Sequence, residues 1–537
     1  MKHTFEKIKL DQEKKTREKK KKRAWRTFGG FLLLIHAAGS GYAFYNAYRL
    51  GMLPGKLLFM LAGLLLIVFF INYLLFFAGS KPGGARIFRR FIAIVLALSI
   101  GAGCFYSGNI IKEINSTVDQ ITATDKESVA ATMNVYVVTK DRAVSLSDCK
   151  NYTFGVVGGN DGAASFAAVS KVKSELGSDI KDKAFDSISL VADELINKGN
   201  IGAAIIDQNY VEILKETDRF SDFEDKAKKI ATISITPEEL NRAASSDPYK
   251  TGPVDKPVDL EPATGKVNKI DIEPFIVYIS GSDTRDKMFQ VSRSDVNILM
   301  VVNPQTKQIL LLNTPRDYYI PNPRSSYGTK DKLTHLGIYG VDCSITGLET
   351  LYGCDINYYV QINFTGTETL IDDIGGVTID NPQGFSARGY TFPSGEITLN
   401  GPQAVVYARE RYAFTTGDNM RGQNQMRLIT AIIKKLTSPS AEYIIKYKAI
   451  LTDLQGFLVT NMESDEIDAL VKMQLNDLAS WNVKSYAVTG TGGSDVTYSM
   501  PGQNLYVTYP DQSSVNRGAS LVDKVLTGGT LTDEDVG

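Results

Sequence analysis

The chain has 537 residues, with 59 Lys and Arg, 60 Asp and Glu, and four cysteines. That length excludes a single small domain, and so few cysteines leave stability to buried apolar cores rather than to a disulfide framework. The near-neutral total hides an asymmetry: residues 1–26 carry 12 basic and 4 acidic side chains, residues 27–112 carry 7 basic and none acidic, and residues 113–537 keep 40 basic against 56 acidic.

Three apolar spans, 28–48, 57–78 and 91–111, contain no Asp, Glu, Lys or Arg. Each is about 21 residues, enough at 1.5 Å per residue to cross a hydrocarbon layer of roughly 30 Å. A cleaved leader has a shorter apolar region, so all three predict permanent membrane helices. The basic run KKTREKKKKR and the loop residues Lys81, Arg86, Arg89 and Arg90 belong on the cytoplasmic side. The chain after about residue 112 is then extracellular. The basic run is read as a topology signal, with no nucleic-acid partner expected. His36 is expected to pack between helices, and Gly39, Gly41, Gly101 and Gly103 to let helices approach closely.

Residues 113–246 alternate short β-rich runs (VYVVT at 135, FGVV at 154, GAAIID at 202) with helical stretches, an α/β pattern. FGVVGGNDGAAS reads as a strand, a tight glycine turn and a helix; it lacks the Lys-Ser/Thr pair of a phosphate loop. A linker follows at 247–268, marked by Pro248, Pro253, Pro257 and Pro262.

In 269–530, VNILMVV and QILLLN are apolar on both faces and joined by NPQTK, as expected of central strands covered by helices on each side. Polar groups must then gather at strand ends, where Asp283, Arg285, Arg293, Asp295, Arg316 and Asp317 fall. Arg409 and Arg411 are two apart, as are Arg293 and Asp295, and extended chain would give each pair one face. Arg421 and Gln425 are four apart on a predicted helix continuing into LITAIIKKL, with Asp418 just before. RSD and PRD, each taken alone, read more readily as satisfied ion pairs at a sheet edge. Six convergent arginines (285, 293, 316, 409, 411, 421) instead require an anion. A diphosphate with Mg²⁺ or Mn²⁺ suits them, with Asp283 and Asp295 as hard oxygen ligands.

Smaller features are expected to be structural. His335 has no catalytic partner pattern, Lys332 adds charge to the pocket, Asp372 and Asp373 precede a turn at Gly375 and Gly376, and TGTGGSD at 489–495 is a loop. A helix over SITGLETLYG would hold Cys343 and Cys354 about 16 Å apart, too far for a disulfide.

GSDTR, RSD, LLNTPRDYYIP, KLTHLGIYG, LIDDIGGV and LNGPQAVVYARERY…GDNMRGQNQ occur in the order and spacing of the LytR-CpsA-Psr family, which residues 270–530 resemble. Three membrane spans and an extra outer domain make the chain look like the capsule-operon branch of Gram-positive bacteria. The resemblance implies a three-helix membrane anchor, a small α/β accessory domain, and an α-β-α sandwich with a central mixed sheet. It implies a phosphotransferase moving a glycopolymer, capsular polysaccharide in that branch, from a polyprenyl-diphosphate carrier to peptidoglycan. Asp283 and Asp295 would hold the metal and diphosphate; Arg293, Arg316, Arg409 and Arg411 would clamp the diphosphate; Arg285, Asp317, Lys332, Asp418, Arg421 and Gln425 would complete the pocket, with Asp295 or Asp317 as proton acceptor. Many relatives carry Arg where this chain has Asn424. Capsule polymerase or kinase proteins are expected partners, and a greasy groove is expected for the prenyl chain; ITAIIKKL and YIIKYKAIL offer apolar helix faces, although most such stripes are core. A diphosphate hydrolase and a sensor of lipid-linked sugar are the competing readings.

Overall fold

The computed structural model describes residues 2–49, 51, 53–78, 84–122, 130–249, 265–282, 292–414, 417–438 and 442–537. Asp283, Arg285 and most of the Pro-rich linker lie outside these residues, as does the side chain of Asp418. The chain separates into two compact units, residues 1–119 with 464–478, and residues 120–463 with 479–537.

In the first unit the helices Lys2–Arg49, Gly55–Phe77 and Gly84–Thr122 are long and apolar enough to cross a membrane. The protein is multi-pass, with its large C-terminal part outside the cell. His36 Nδ1 is 3.0 Å from Asn72 Nδ2, a polar pair inside the bundle. A Cβ on Gly39 would stand 2.5 Å from the Gly101 carbonyl oxygen, so that crossing requires glycine. Gly41 and Gly103 face open space and make no such approach.

The second unit contains two large sheets. In the first, the strands lie in the order Lys181–Phe185, Thr153–Val157, Ala203–Asp207, Ala131–Val138, Ala227–Ile235, the first three parallel and the last two added antiparallel. The glycine turn after Thr153–Val157 leads into helix Gly162–Leu176, with Gly159 at φ 66°.

The second sheet has six strands in the order Leu458–Thr460, Tyr358–Asn363, Phe275–Ser282, Val296–Asn303, Gln308–Asn313, Asn482–Ala487. It is mixed: Tyr358–Asn363 runs parallel to Phe275–Ser282, which is antiparallel to Val296–Asn303. NPQTK forms the hairpin turn, Asn303 pairing with Gln308 and Lys307 taking φ 53°.

Alternation along these strands sends their side chains to two different environments. Tyr278, Leu299, Val301, Leu310 and Leu312 pack into a closed core with Leu348 of helix Val341–Tyr352 and with Val515 and Val522 of helix Gln512–Leu526. Ile279, Met300, Val360 and Ile362 point the other way and border a cavity beneath helices Phe364–Asp373, Gly401–Arg409 and Asp418–Leu436. The strands are therefore apolar on both faces for two reasons, a packed core and a cavity wall.

One local expectation changes. Residues 490–497 are a strand, Gly490–Thr497, paired with Met500–Pro510, so TGTGGSD is largely not a loop; its glycines pack under Tyr506 and Tyr509. Cys104, Cys149, Cys343 and Cys354 are free thiols, and helix Val341–Tyr352 spans the interval between the last two. The helix bearing YIIKYKAIL, Glu442–Asp453, turns Ile450 into the core rather than toward the cavity.

Candidate functional site

The cavity has a volume of about 670 Å³. Its position follows from how the strands end. Asp295 N–H donates to the Gly281 carbonyl at 2.8 Å, and Ser294 N–H to Thr334 at 3.2 Å, fixing the RSD segment before strand Val296–Asn303. Gly337 of KLTHLGIYG lies against that segment; a Cβ there would be 2.6 Å from the Ser292 carbonyl oxygen. Gly422 serves a similar purpose in MRGQNQ, where a Cβ would meet Asn313 Nδ2 at 2.5 Å, so helix Asp418–Leu436 can approach the sheet end.

Arg293, Asp295, Arg316, Arg409, Arg411, Arg421 and Gln425 all line this cavity. Asp295, 16 % exposed, accepts from Arg316 Nη1 at 2.6 Å and from Thr334 Oγ1 at 3.3 Å. Burial alone would raise its carboxyl pKa, but Arg316, then Arg293 and Arg421, outweigh that and hold it below the usual carboxylate range. The Arg409 guanidinium lies 3.9 Å from the Phe364 ring centroid, and Arg411 4.7 Å from that of Tyr412, whose hydroxyl accepts from Arg411 Nη2 at 2.6 Å. Arg409 closes helix Gly401–Arg409, so the pair it makes with Arg411 is helix end and coil, not the extended pair expected.

Along helix Asp418–Leu436 the lining changes character: Arg421 and Gln425 come first, then Leu428, Ile429, Ile432, Ile433 and Leu436. Fifteen residues from Arg421 to Leu436 span about 22 Å at the helical rise. One helix thus joins a cationic region to a long aliphatic one. Asn424, the departure noted above, is buried away from the cavity; its Oδ1 accepts from Arg427 at 2.8 Å and its Nδ2 donates to the Tyr407 carbonyl at 3.4 Å.

Two expected pocket residues are elsewhere. Lys332 is 3 % exposed and does not line the cavity; its Nζ donates to Glu216 Oε2 at 2.6 Å and lies 3.2 Å from Asp317 Oδ1. Asp317 also stands 3.6 Å from Arg316 Nε, so both belong to an ion-pair layer behind the wall. His335, fully buried beside Asp331 and Ser499, is a hydrogen-bonding residue as expected. Burial would lower its pKa, but Asp331 and Glu216 raise it.

Sequence reasoning missed Arg388, Glu212, Lys215 and Glu216, all of which line the cavity. Arg388 precedes Gly389 in a tight hairpin and takes φ 47°. The other three come from the first sheet's region, where no motif marks them. Among the described residues no cluster of three or more His, Cys, Asp or Glu is placed to hold a metal, and Asp295 is the one aspartate of these residues that lines the cavity.

A LytR_cpsA_psr family model matches residues 240–517. The chain belongs to that family. It is similar to the polyisoprenyl-teichoic acid–peptidoglycan teichoic acid transferase TagU of Enterococcus faecalis, 34 % identical over 230 residues, 42 % of this chain and 74 % of the relative. TagU of Bacillus subtilis is 32 % identical over 227 residues, 42 % of this chain and 71 % of the relative. Among solved structures, B. subtilis TagV matches at 25 % identity and a TM-score of 0.41, covering 49 % of this chain and 100 % of that one.

This LytR-CpsA-Psr protein is an enzyme of the phosphotransferase type. The capsule-operon branch expected above is overturned, because the relatives found are teichoic-acid transferases. That expectation rested on the three spans and the extra outer region, nearly all of which lie before residue 240, where the family match begins.

Proposed function

We propose that the protein transfers a polymer of the teichoic-acid class from a polyprenyl-diphosphate carrier in the outer leaflet to peptidoglycan, leaving a phosphodiester and releasing polyprenyl phosphate. The observation that carries this reading is a cavity of about 670 Å³ that joins a cluster of arginines to a run of aliphatic side chains. A headgroup with two phosphates needs the first, and a prenyl chain needs the second. The names of the relatives supply the polymer class.

In this mechanism the acceptor sugar hydroxyl attacks the phosphorus bonded to the polymer. A new P–O bond forms, the bond to polyprenyl phosphate breaks, and the lipid leaves with the bridging oxygen. Arg293, Arg316, Arg409, Arg411 and Arg421 neutralise the charge that builds on the transferring and departing phosphates. Asp295, ionised beside Arg316, holds that guanidinium and is the cavity-lining candidate to receive the acceptor proton. Asp317, engaged with Lys332, stands outside that role. Divalent Mg²⁺ or Mn²⁺ fits the chemistry of Asp295, a hard oxygen donor kept ionised, and Asp283 would be its second carboxylate. Such an ion would add positive charge against the diphosphate oxygens.

The test uses full-length protein in lipid vesicles with a polyprenyl-diphosphate-linked teichoic acid, Mg²⁺ and peptidoglycan fragments. Polymer joined to peptidoglycan through phosphodiester is the expected product. Polymer phosphate released without attachment would instead identify a hydrolase, and tight binding without turnover a sensor.

A further inference from the structure

Glu216 is the feature that neither the family match nor the reaction explains. It lies outside residues 240–517, on the segment that follows helix Gln208–Leu214 of the first sheet's region. Yet its carboxylate meets cations from three motifs of the family region. Oε1 accepts from Arg293 Nη1 at 3.0 Å and Arg316 Nη2 at 3.4 Å, Oε2 accepts from Lys332 Nζ at 2.6 Å, and His335 Nε2 stands 3.7 Å from Oε1. The segment is firmly seated: Ile213, Leu214 and Phe220 are fully buried, and Thr217 Oγ1 donates to the Leu214 carbonyl at 2.8 Å.

We infer that Glu216 is a positioning residue of the transferase, a carboxylate lent by the first sheet's region that holds Arg293 and Arg316 in the geometry in which they meet the diphosphate. This rests on the proposed reaction for its substrate. Two observations separate it from a placeholder that substrate would displace. Its second oxygen is bound to Lys332, which is buried behind the cavity wall, so leaving would strip a buried ammonium of one of its carboxylates. Its first oxygen stands 3.7 Å from Nε2 of His335, which is fully buried and would lose that carboxylate neighbour if Glu216 left. Meanwhile both arginines and Glu216 still border the cavity.

The experiment compares the full-length wild type with Glu216→Gln and Glu216→Asp in the vesicle transfer assay. Glu216→Gln is expected to lower kcat by about tenfold or more and to raise KM for the lipid substrate, because arginines that lose their geometry grip both the bound diphosphate and the transition state less well. Glu216→Asp should recover part of the loss. Titration with inorganic diphosphate gives a readout free of turnover, and Glu216→Gln should bind it more weakly than wild type. Wild-type kcat in Glu216→Gln, or tighter diphosphate binding by it, would overturn the inference, the latter making Glu216 an occupant of the anion seat. If Glu216→Gln does not fold, Glu216→Asp decides alone: an intermediate kcat with weakened diphosphate binding supports the inference, and wild-type values overturn it. A wild type that binds diphosphate but transfers nothing would count against the assigned reaction, while the diphosphate titration still decides the role of Glu216.

Discussion

On one face of the six-stranded sheet, Tyr278, Leu299 and Val301 are sealed against two helices; on the other, Ile279, Met300, Val360 and Ile362 border a cavity of about 670 Å³. The same strands supply both sets, one residue apart. Leu299 is wholly buried in close-packed surroundings, whereas Met300, its neighbour, faces space that helices Gly401–Arg409 and Asp418–Leu436 roof without filling. The difference teaches that apolar character on a strand can serve stability on one side and a ligand on the other. Mutations on the two faces should therefore fail differently.

The largest effect is expected on the packed face. Leu299→Ala should destabilise the outer unit by about 2–5 kcal/mol, through lost burial and a new void, measured by denaturant unfolding of the purified protein. Arg409→Ala, at the cationic part of the cavity, should leave unfolding nearly unchanged and cost about 2.7–4 kcal/mol in transition-state stabilisation, read as the fall in kcat of transfer. Met300→Ala enlarges a space that already exists, so its cost in unfolding should be below about 2 kcal/mol. A loss as large as that of Leu299→Ala would break the comparison.

The smallest effect concerns pH. Asp295 is held below the usual carboxylate range, so its ion pairs contribute stability at any pH above the unfolded value of about 3.9. That contribution is lost only as pH falls through the lower folded value. His335 has the opposite sign: its pKa is raised, so its pairing with Asp331 and Glu216 is fully present below about 6.5 and fades as pH rises through the higher folded value. Asp295→Asn should thus shallow the acid limb of the stability profile and leave the alkaline limb alone, a result readable by thermal melts across pH.

Much of this arrangement could be read from residue types. The spans free of charge marked the membrane helices, and VNILMVV and QILLLN marked central strands because few structures bury apolar side chains on both faces. The arginines of RSD, PRD, ARER and MRG do meet at one cavity. The helical end at Arg409 was hidden because Arg, Glu and Tyr in ARERY suit strand or helix alike until the Asn400 cap, accepting from Gln403 N–H at 3.0 Å, sets the start of the helix. Lys332 was misplaced because its neighbours in sequence say nothing of Glu216, 116 positions away. Glu216 itself had no local signal: ILKETDRF is an ordinary amphipathic stretch, and only tertiary contact reveals the charge it answers. Likewise Arg388 depends on a left-handed hairpin corner.

The central claim is that arginines and aliphatic side chains share one cavity because a prenyl chain carrying phosphate sits across both. Native mass spectrometry of the full-length protein, gently extracted from its own membrane, tests it most directly. The account predicts a co-purified polyprenyl phosphate or diphosphate on the wild type that is depleted in the Arg409→Ala, Arg411→Ala double variant. A wild type free of such lipid when supplied with excess polyprenyl diphosphate, or a double variant that holds it equally well, would contradict the account.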